Sequence, residues 1–284
     1  NGTTWEKAYY NPLRNECYLN VSDFPEKPEG YVMNITFRAN DSFNQMSPKA
    51  DSVQRTVDAT PPNQVGSPTV IPTVSKASIS YTNSTPYINA TFFDAAAGVA
   101  SCEYSLDNGT TWNPAIWNSG THQCYATINQ PLPHGRVINV TFRATDGANN
   151  LGTKGNCTQR TVEALPPNII SLIVKPSSGS VTNKFSINLT VNDTHTDINS
   201  SRVYVEIYLF NHSTYSLTLA AIRYLTNDTF TGNLYNGTWN TTWDDGSMRP
   251  GSYLFKFNAE DLLRNRKSVY GDSVAIGHVP VAVS

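Results

Sequence analysis

The sequence predicts an all-β chain of tandem β-sandwich domains, and three observations predict it. The first is internal repetition. NITFRAND (34–41) returns as NVTFRATD (139–146), and QRTVDATPPN (54–63) returns as QRTVEALPPN (159–168). Self-similarity of this length marks a chain of repeated structural units. The second is alternation. Across Val137–Thr145, Ile138, Val140, Phe142 and Ala144 share one face, while Asn139, Thr141 and Arg143 share the other. A strand with one buried and one wet face reads this way. The third is composition. Asn, Ser and Thr are heavy while Lys, Glu and Leu are light, which favours strands and turns over helices.

The elements follow in chain order. NGTTW at 1–5 matches NGTTW at 108–112, and Cys17 and Cys124 each lie 12 residues beyond the Trp of that string. The offset is 107 residues at the front and 105 at the back, so one small deletion separates the copies. The second copy is complete, from about Gln64 to Asn168. Its predicted strands are Tyr87–Phe93, Ser101–Leu106, Trp112–Trp117, His122–Ile128, Val137–Thr145 and Cys157–Val162. Asp107-Asn108-Gly109 is a hairpin turn between two of them. About seven short strands separated by turn signals predict a sandwich. Pro61-Pro62 and Pro166-Pro167 stiffen the joints. The division is therefore 1–63, 64–168 and 169–284. Residues 64–107 have no counterpart in the first copy, so 1–63 is expected to be the C-terminal part of a truncated sandwich. Such a remnant should not fold alone, because its buried face lacks an opposite sheet. The last third keeps the pattern in KFSINLTVND, VYVEIYLF, NGTWNTTWDDG and GSYLFKFNAED. Its tail alternates through Val279, Val281 and Val283 and is a candidate donor strand, or the first strand of a further module.

Composition excludes several partners. Of 284 residues only 15% are charged and the net charge is −2, so no basic surplus exists to neutralise nucleic-acid phosphates or an anionic membrane surface. No apolar run approaches the roughly 20 residues of a membrane helix. No signal peptide is present, so the chain is expected to be a mature secreted product or part of a longer one.

Apolar alternation ending in A-x-D, a Gly/Asn turn, a last strand and a Pro-rich joint resemble the tandem immunoglobulin-like modules of prokaryotic cell-surface proteins. CEYSLDNGTTW is similar to the middle of such modules in archaeal surface chains, S-layer and extracellular filament subunits being nearest. G-S-Y-L-F-K-F-N-A-E-D is similar to the module that closes many secreted proteins. The resemblance implies an extracellular, non-catalytic location and role. It implies a structural subunit that polymerises with copies of itself through strand pairing. A glycan-binding adhesin module and a spacer of a large secreted enzyme are the alternatives.

In a secreted sandwich, cysteines pair by default. Cys17 and Cys124 are repeat equivalents, and residue 52, the equivalent of Cys157, is Ser. A Cys102–Cys124 bond is therefore expected, worth about 3 kcal/mol by loop closure. Cys17 then pairs outside the chain and Cys157 stays free, with a Cys17–Cys157 bridge as the alternative. Asn-x-Ser/Thr occurs 16 times, at Asn1 and Asn108 and at Asn20, Asn34, Asn40, Asn83, Asn89, Asn139, Asn156, Asn188, Asn192, Asn199, Asn211, Asn227, Asn236 and Asn240. The last fourteen are the candidate sites for N-linked glycans. A wet strand face of Asn and Thr produces the same motif without modification, as at Asn34 and Asn188.

No nucleotide-binding, zinc-protease or serine-hydrolase motif occurs, and no catalytic residue is assigned. His195 with Asp193 and Asp197 is the densest polar constellation and reads as a loop. Asp41, Asp146 and Asp261 end equivalent strands near the joints and are weak calcium candidates. The simpler reading is that each caps the turn that follows. No other cofactor is expected. Trp5, Trp112, Trp117, Trp239 and Trp243 could form a sugar-binding platform, but Trp5 and Trp112 repeat and are expected in the core, while Trp117 is unrepeated and its position leaves exposure open.

Overall fold

A computed structural model describes residues 5–20, 26–227, 236–243 and 249–277. The opening Asn1–Thr4 and the tail valines Val279, Val281 and Val283 lie outside the described residues. The chain is all-β and organised as tandem Ig-like sandwiches.

The first unit is two antiparallel hairpins. One pairs β1 (Tyr9–Asn11) with β2 (Glu16–Tyr18), and the other pairs β3 (Val32–Ile35) with β4 (Val53–Thr56). No described residue between Trp5 and Pro61 is buried.

The second unit contains β5 (Asn63–Ile71), β6 (Val74–Lys76), β7 (Ile79–Thr82), β8 (Tyr87–Phe93), β9 (Val99–Ser105), β10 (Asn113–Asn118), β11 (Gln123–Thr127), β12 (Val137–Asp146) and β13 (Thr158–Val162). Hydrogen bonding runs continuously in the order β5-β8-β11-β10-β9-β12-β13-β7-β6. Two layers arise because β10 changes partner midway. Its residues Asn113–Ala115 pair with β9, and Ile116–Asn118 pair with β11. The layer β5-β8-β11 then faces β9-β12-β13-β7. Ile88, Phe92, Ile138, Val140, Phe142 and Val162 fill the space between them and are essentially inaccessible. Cys102 on β9 and Cys124 on β11 are joined, with Cα atoms 6.1 Å apart, and tie one layer to the other. Thr158 Oγ1 donates to Pro68 O at 2.7 Å and pins β13 to β5 at the open side.

The third unit has two sheets. β14 (Asn168–Lys175), β16 (Phe185–Asn192), β20 (Asn236–Trp243) and β19 (Thr226–Asn227) form one, in that order. β15 (Ser178–Ser180), β22 (Arg266–Gly277), β21 (Gly251–Glu260), β17 (Tyr204–Asn211) and β18 (Ser216–Tyr224) form the other. Alternation dictates the core. Phe185, Ile187, Leu189 and Val191 of β16 meet Val205 and Ile207 of β17, with Phe255 and Phe257 of β21, around Trp243. Tyr253 is buried, and its hydroxyl bonds both the N–H and the carbonyl of Arg249 at 3.0 Å. A buried tyrosine tied to backbone just upstream is a corner found in Ig-like sandwiches.

Phe142 is fully buried, whereas its repeat equivalent Phe37 is 37% exposed. Phe142→Ala is expected to cost the second sandwich about 3–5 kcal/mol, and Phe37→Ala under about 0.5 kcal/mol. Denaturant unfolding of each variant measures both, and equal costs would contradict the burial contrast.

Candidate functional site

The polar chemistry of the chain collects at the joints between units. Each of the three repeats places an Asp where the long strand of the complete module ends, at Asp146 on β12, Asp261 just past β21 and Asp41 beyond β3, and turns back through the same loop. Asp41 Oδ1 accepts from the N–H groups of Phe43 and Gln45 at 2.9 and 2.8 Å. Asp146 Oδ1 accepts from Ala148 and Asn150, both at 2.8 Å. Asp261 Oδ1 accepts from Asn265 N–H at 2.8 Å. In each loop the residue three after the Asp is left-handed: Asn44 at φ 63°, Asn149 at φ 70° and Arg264 at φ 70°. This is the turn-capping role that Asp performs in tight turns.

The residue four after the Asp carries the loop across the joint. Asn150 Nδ2 donates to Asp146 Oδ2 at 2.8 Å and to the backbone carbonyl of Asp58, in the segment leaving the first unit, at 2.9 Å. Two amide hydrogens thus meet two acceptors. Asn265 Nδ2 repeats this one module later. It lies 2.8 Å from Asp261 Oδ2, 3.3 Å from the Glu163 carbonyl and 2.6 Å from Glu163 Oε2. Asp58 and Glu163 are repeat equivalents, in QRTVDATPPN and QRTVEALPPN. The loops also bond inward: Gly147 N–H donates to Gly98 O, and Leu262 N–H to Asp197 O, both at 3.0 Å. A Cβ at Gly147 would stand 3.0 Å from the Ala97 carbonyl, so the close approach favours glycine there.

Three carboxylates converge at the first joint. Asp58, Asp94 and Asp146 each offer an oxygen within 4.8 Å of the others. Asp58 Oδ2 accepts from Ala97 N–H at 2.8 Å, and Asp94 Oδ1 from Gly98 N–H at 2.8 Å. An all-oxygen carboxylate set is the donor chemistry of a hard divalent cation. Sequence reading had only Asp146 here. Asp58 and Asp94 come from the linker and the end of β8, and only the fold brings them in.

At the second joint the corresponding residues are Glu163, Asp193 and Asp261, all buried. Burial pushes the Glu163 carboxyl up to about 8, assisted by its side-chain hydrogen bond with Asp261 and by the charges of Asp261 and Asp193. Burial raises Asp261 as well. Glu163 and Asp261 therefore hold a proton between them near neutral pH. Two imidazoles border this cluster. His134 Nδ1 lies 3.7 Å from Glu163 Oε1, and the His134 and His195 rings are 4.9 Å apart. Lys76 Nζ lies 3.5 Å from the carbonyls of Thr194 and Thr196. The constellation around His195 is a loop, as the sequence suggests. Asp193 Oδ1 caps it by accepting from His195 and Thr196 N–H at 2.9 and 2.8 Å.

The glycan candidates fall into three groups. Asn20, Asn34, Asn40, Asn156 and Asn211 are exposed. Asn83, Asn89, Asn139, Asn188, Asn192 and Asn199 are half-buried, mostly on the wet faces and at the ends of strands. The side chains of Asn227, Asn236 and Asn240 lie outside the described residues. Asn156 Nδ2 already donates to Gly66 O at 2.9 Å. Cys17 and Cys157 are exposed thiols. The Trp expectations need correction. Trp112 and Trp5 are only half-buried. The Arg143 guanidinium lies 4.3 Å over the Trp112 ring and Arg38 lies 3.8 Å over Trp5. Arg143 occupies the wet face of β12, so its aromatic partner sits on that side, away from the core. Trp117 is half-buried and packs against the core.

Together these features define a string of Ig-like sandwiches locked in sequence by a repeated polar loop. No protein-family model and no curated protein matches the chain. Several solved structures share the general architecture. A tetra-tandem repeat from the extending region of a large adhesion protein is 15% identical with a TM-score of 0.30; the match covers 87% of this chain and 57% of that one. The Escherichia coli adhesin FdeC is 13% identical with a TM-score of 0.37, over 82% and 71%. A 1.5-MDa bacterial ice-binding adhesin is 10% identical with a TM-score of 0.31, over 87% and 74%. At these values the likeness carries nothing about activity or partner.

Because the folded Glu163 carboxyl is raised to about 8, the folded state holds more protons than the unfolded state between its ordinary value near 4.5 and that point. Stability at the second joint is therefore highest below the ordinary value and falls as pH rises towards 8. Glu163→Gln should raise the melting midpoint at pH 8 by a few degrees, on the scale of about 2–4 °C per kcal/mol, and change little at pH 4. Calorimetry at both pH values checks this, and equal shifts would exclude titration as the cause. Asn150→Ala should cost about 1–3 kcal/mol by leaving the Asp146 carboxylate and the Asp58 carbonyl short of a donor.

Proposed function

We propose that the chain is a non-catalytic structural segment of an extracellular surface protein, of the archaeal S-layer or filament kind that its sequence resembles. Its sandwiches carry N-linked glycans and assemble with further copies by strand pairing. The observation that carries this reading is the joint. The same Asp-capped loop occurs in three successive modules, and in two of them its amide reaches the backbone of the preceding segment. A chain that repeats its connections as faithfully as its sandwiches transmits position and load along its length. The dense sequons and the Cys102–Cys124 bond suit an oxidising exterior. Neutral glycans would keep a weakly charged surface soluble.

Electron microscopy of purified protein should show ordered filaments or lattices. Single particles that bind surface glycans would favour the adhesin alternative, and single particles that bind none would leave the spacer reading. In protein from its native source, proteolytic peptides that bear these sequons should exceed their bare masses, and equality throughout would remove the glycan component.

One observation favours a subsidiary role for calcium. The oxygen set at Asp58, Asp94 and Asp146 is suited to stiffen the first joint. Calcium is expected to raise the melting midpoint of the native chain but not of Asp94→Asn. No response in the native chain sets this role aside.

A further inference from the structure

We propose that the outer face of the five-stranded sheet in the third unit is an interaction surface, and that it packs against the same face of a second copy of this chain about a two-fold axis.

The inner side of this sheet supplies Val205, Ile207, Phe255 and Phe257 to the core. Alternation turns the intervening residues outward. On β17 these include Tyr204, Tyr208 and Phe210, all half-buried. On β18 they include Leu219, 49% exposed, and Tyr224, 60% exposed. Soluble monomers rarely gather so many large apolar groups on one outer face. The other sheet of the same sandwich differs. The outward residues of its β16 are Ser186, Asn188, Thr190 and Asn192, two of them in sequons. β15, β18, β21 and β22 carry no sequon, and β17 carries one at its last residue, Asn211. N-linked glycans on these motifs would coat one face and leave the apolar one clear.

The polar groups of the apolar face are already paired within it. Lys256 Nζ lies 2.9 Å from Glu206 Oε2, which also accepts from the Tyr208 hydroxyl at 3.2 Å. Arg266 donates to the Tyr204 hydroxyl and to Asn258 Oδ1, and Asn258 Oδ1 also accepts from Ser268 Oγ at 2.7 Å. Covering the face leaves none of these groups without a partner, so its desolvation is opposed only weakly.

The relief of the face specifies the occupant. Large residues stand on β17 and β18, and small ones on β21 and β22. Phe210 and Leu217 share a row across the strands with Ser252 and Ala275, Leu219 shares one with Ser273, and Tyr224 shares one with Ser268. A two-fold axis in the plane of contact, close to the strand direction and between β17 and β21, lays β17 of one copy over β21 of the other, and β18 over β22. Each large residue then meets the small residue of its own row. The same axis lays Glu206 of one copy over Lys256 of the other, and the reverse, because the two are register partners. Shape and charge are thus complementary to the face itself, which is what an isologous contact requires. The net charge of −2 opposes the approach of two copies little. At ordinary strand spacings the face measures about 19 by 23 Å. Two copies together therefore cover close to the roughly 1,000 Å² at which specific interfaces begin. Leu217, Leu219 and Ile222 offer no hydrogen bonds to sugar hydroxyls, which favours a protein partner over a glycan.

This contact deepens the proposed assembly by adding a face to the strand pairing, and rests on that reading for a second copy as its partner. Sedimentation equilibrium of the intact chain should show the mass of a pair as concentration rises through the micromolar range. Leu219→Glu, at an exposed site, should raise the dissociation constant by more than about tenfold with the melting midpoint unchanged. Glu206→Lys and Lys256→Glu should each weaken the pair. An equal mixture of those two variants should restore it as a mixed pair, since each then meets its opposite charge. A monomer at every concentration would overturn the proposal, as would a pair that Leu219→Glu leaves intact or a mixture that pairs no better than its parts. A chain that stays monomeric but loses retention on a neutral polysaccharide through Leu219→Glu would overturn it in favour of a glycan platform. Filaments that Leu219→Glu leaves intact would keep the assembly reading and sink this contact, whereas pairs that form no filament would do the reverse.

Discussion

A buried carboxylate closes the long strand of each intact module, and the joints depend on how it is satisfied. Asp146 is 1% exposed and Asp261 is fully inaccessible. An ionised or hydrogen-bonding carboxyl in such a place is costly unless every lone pair finds a donor. One oxygen takes the N–H groups of the turn, which forces the chain through a left-handed residue. The other takes one hydrogen of an amide four residues on. An amide carries a second hydrogen that must also be spent, and the nearest acceptor is the backbone carbonyl of the preceding linker. Satisfying the strand's end and attaching the neighbouring module are therefore one event. A carboxylate at the fourth position would have no hydrogen to donate, and an alkyl group would leave both acceptors bare.

Much of the architecture is legible in the sequence because strands expose their periodicity. Tyr87–Phe93 is read to the residue, since Ile88, Ala90 and Phe92 alternate without interruption. Cys102 and Cys124 could be paired because a repeat constrains equivalent residues to equivalent partners. What alternation cannot reveal lies where backbone irregularity breaks it. β5 is unmarked in the sequence because Gly66 and Pro68 fall within it, where the ladder with β8 shifts register between Val65 and Thr69. The Trp placements failed for a different reason. A tryptophan in a sandwich is usually core, but Trp112 stacks on an arginine whose position on the wet face of β12 was already visible in the alternation. Joining those two observations would have located it.

The joint clusters were half legible. Repetition pointed to Asp41, Asp146 and Asp261, and turn chemistry explained them. Their companions Asp58 and Asp94, or Glu163 and Asp193, lie far away in sequence and on different elements. Nothing in spacing announces that a linker residue and a strand end will meet the same loop. The equivalence of Asp58 with Glu163 was available from the repeat. Its meaning was not, because it depends on the burial of one joint and the openness of the other.

That contrast shows how one backbone frame supports two electrostatic solutions. At the first joint the linker acid is short and partly exposed, its side chain is held by the Ala97 N–H, and three carboxylates gather with water still in reach. At the second joint the linker acid is one methylene longer and reaches inward. Its oxygen then meets Asn265 and the Asp261 carboxyl instead of solvent. Buried carboxyls so close together cannot all ionise, so a proton replaces the charge that water or a cation would otherwise balance. The difference between Asp58 and Glu163 thus accompanies the change from a partly open carboxylate set to a buried one that holds a proton. One loop frame therefore accommodates two degrees of burial of its linker acid, with the same amide satisfying the preceding carbonyl in both.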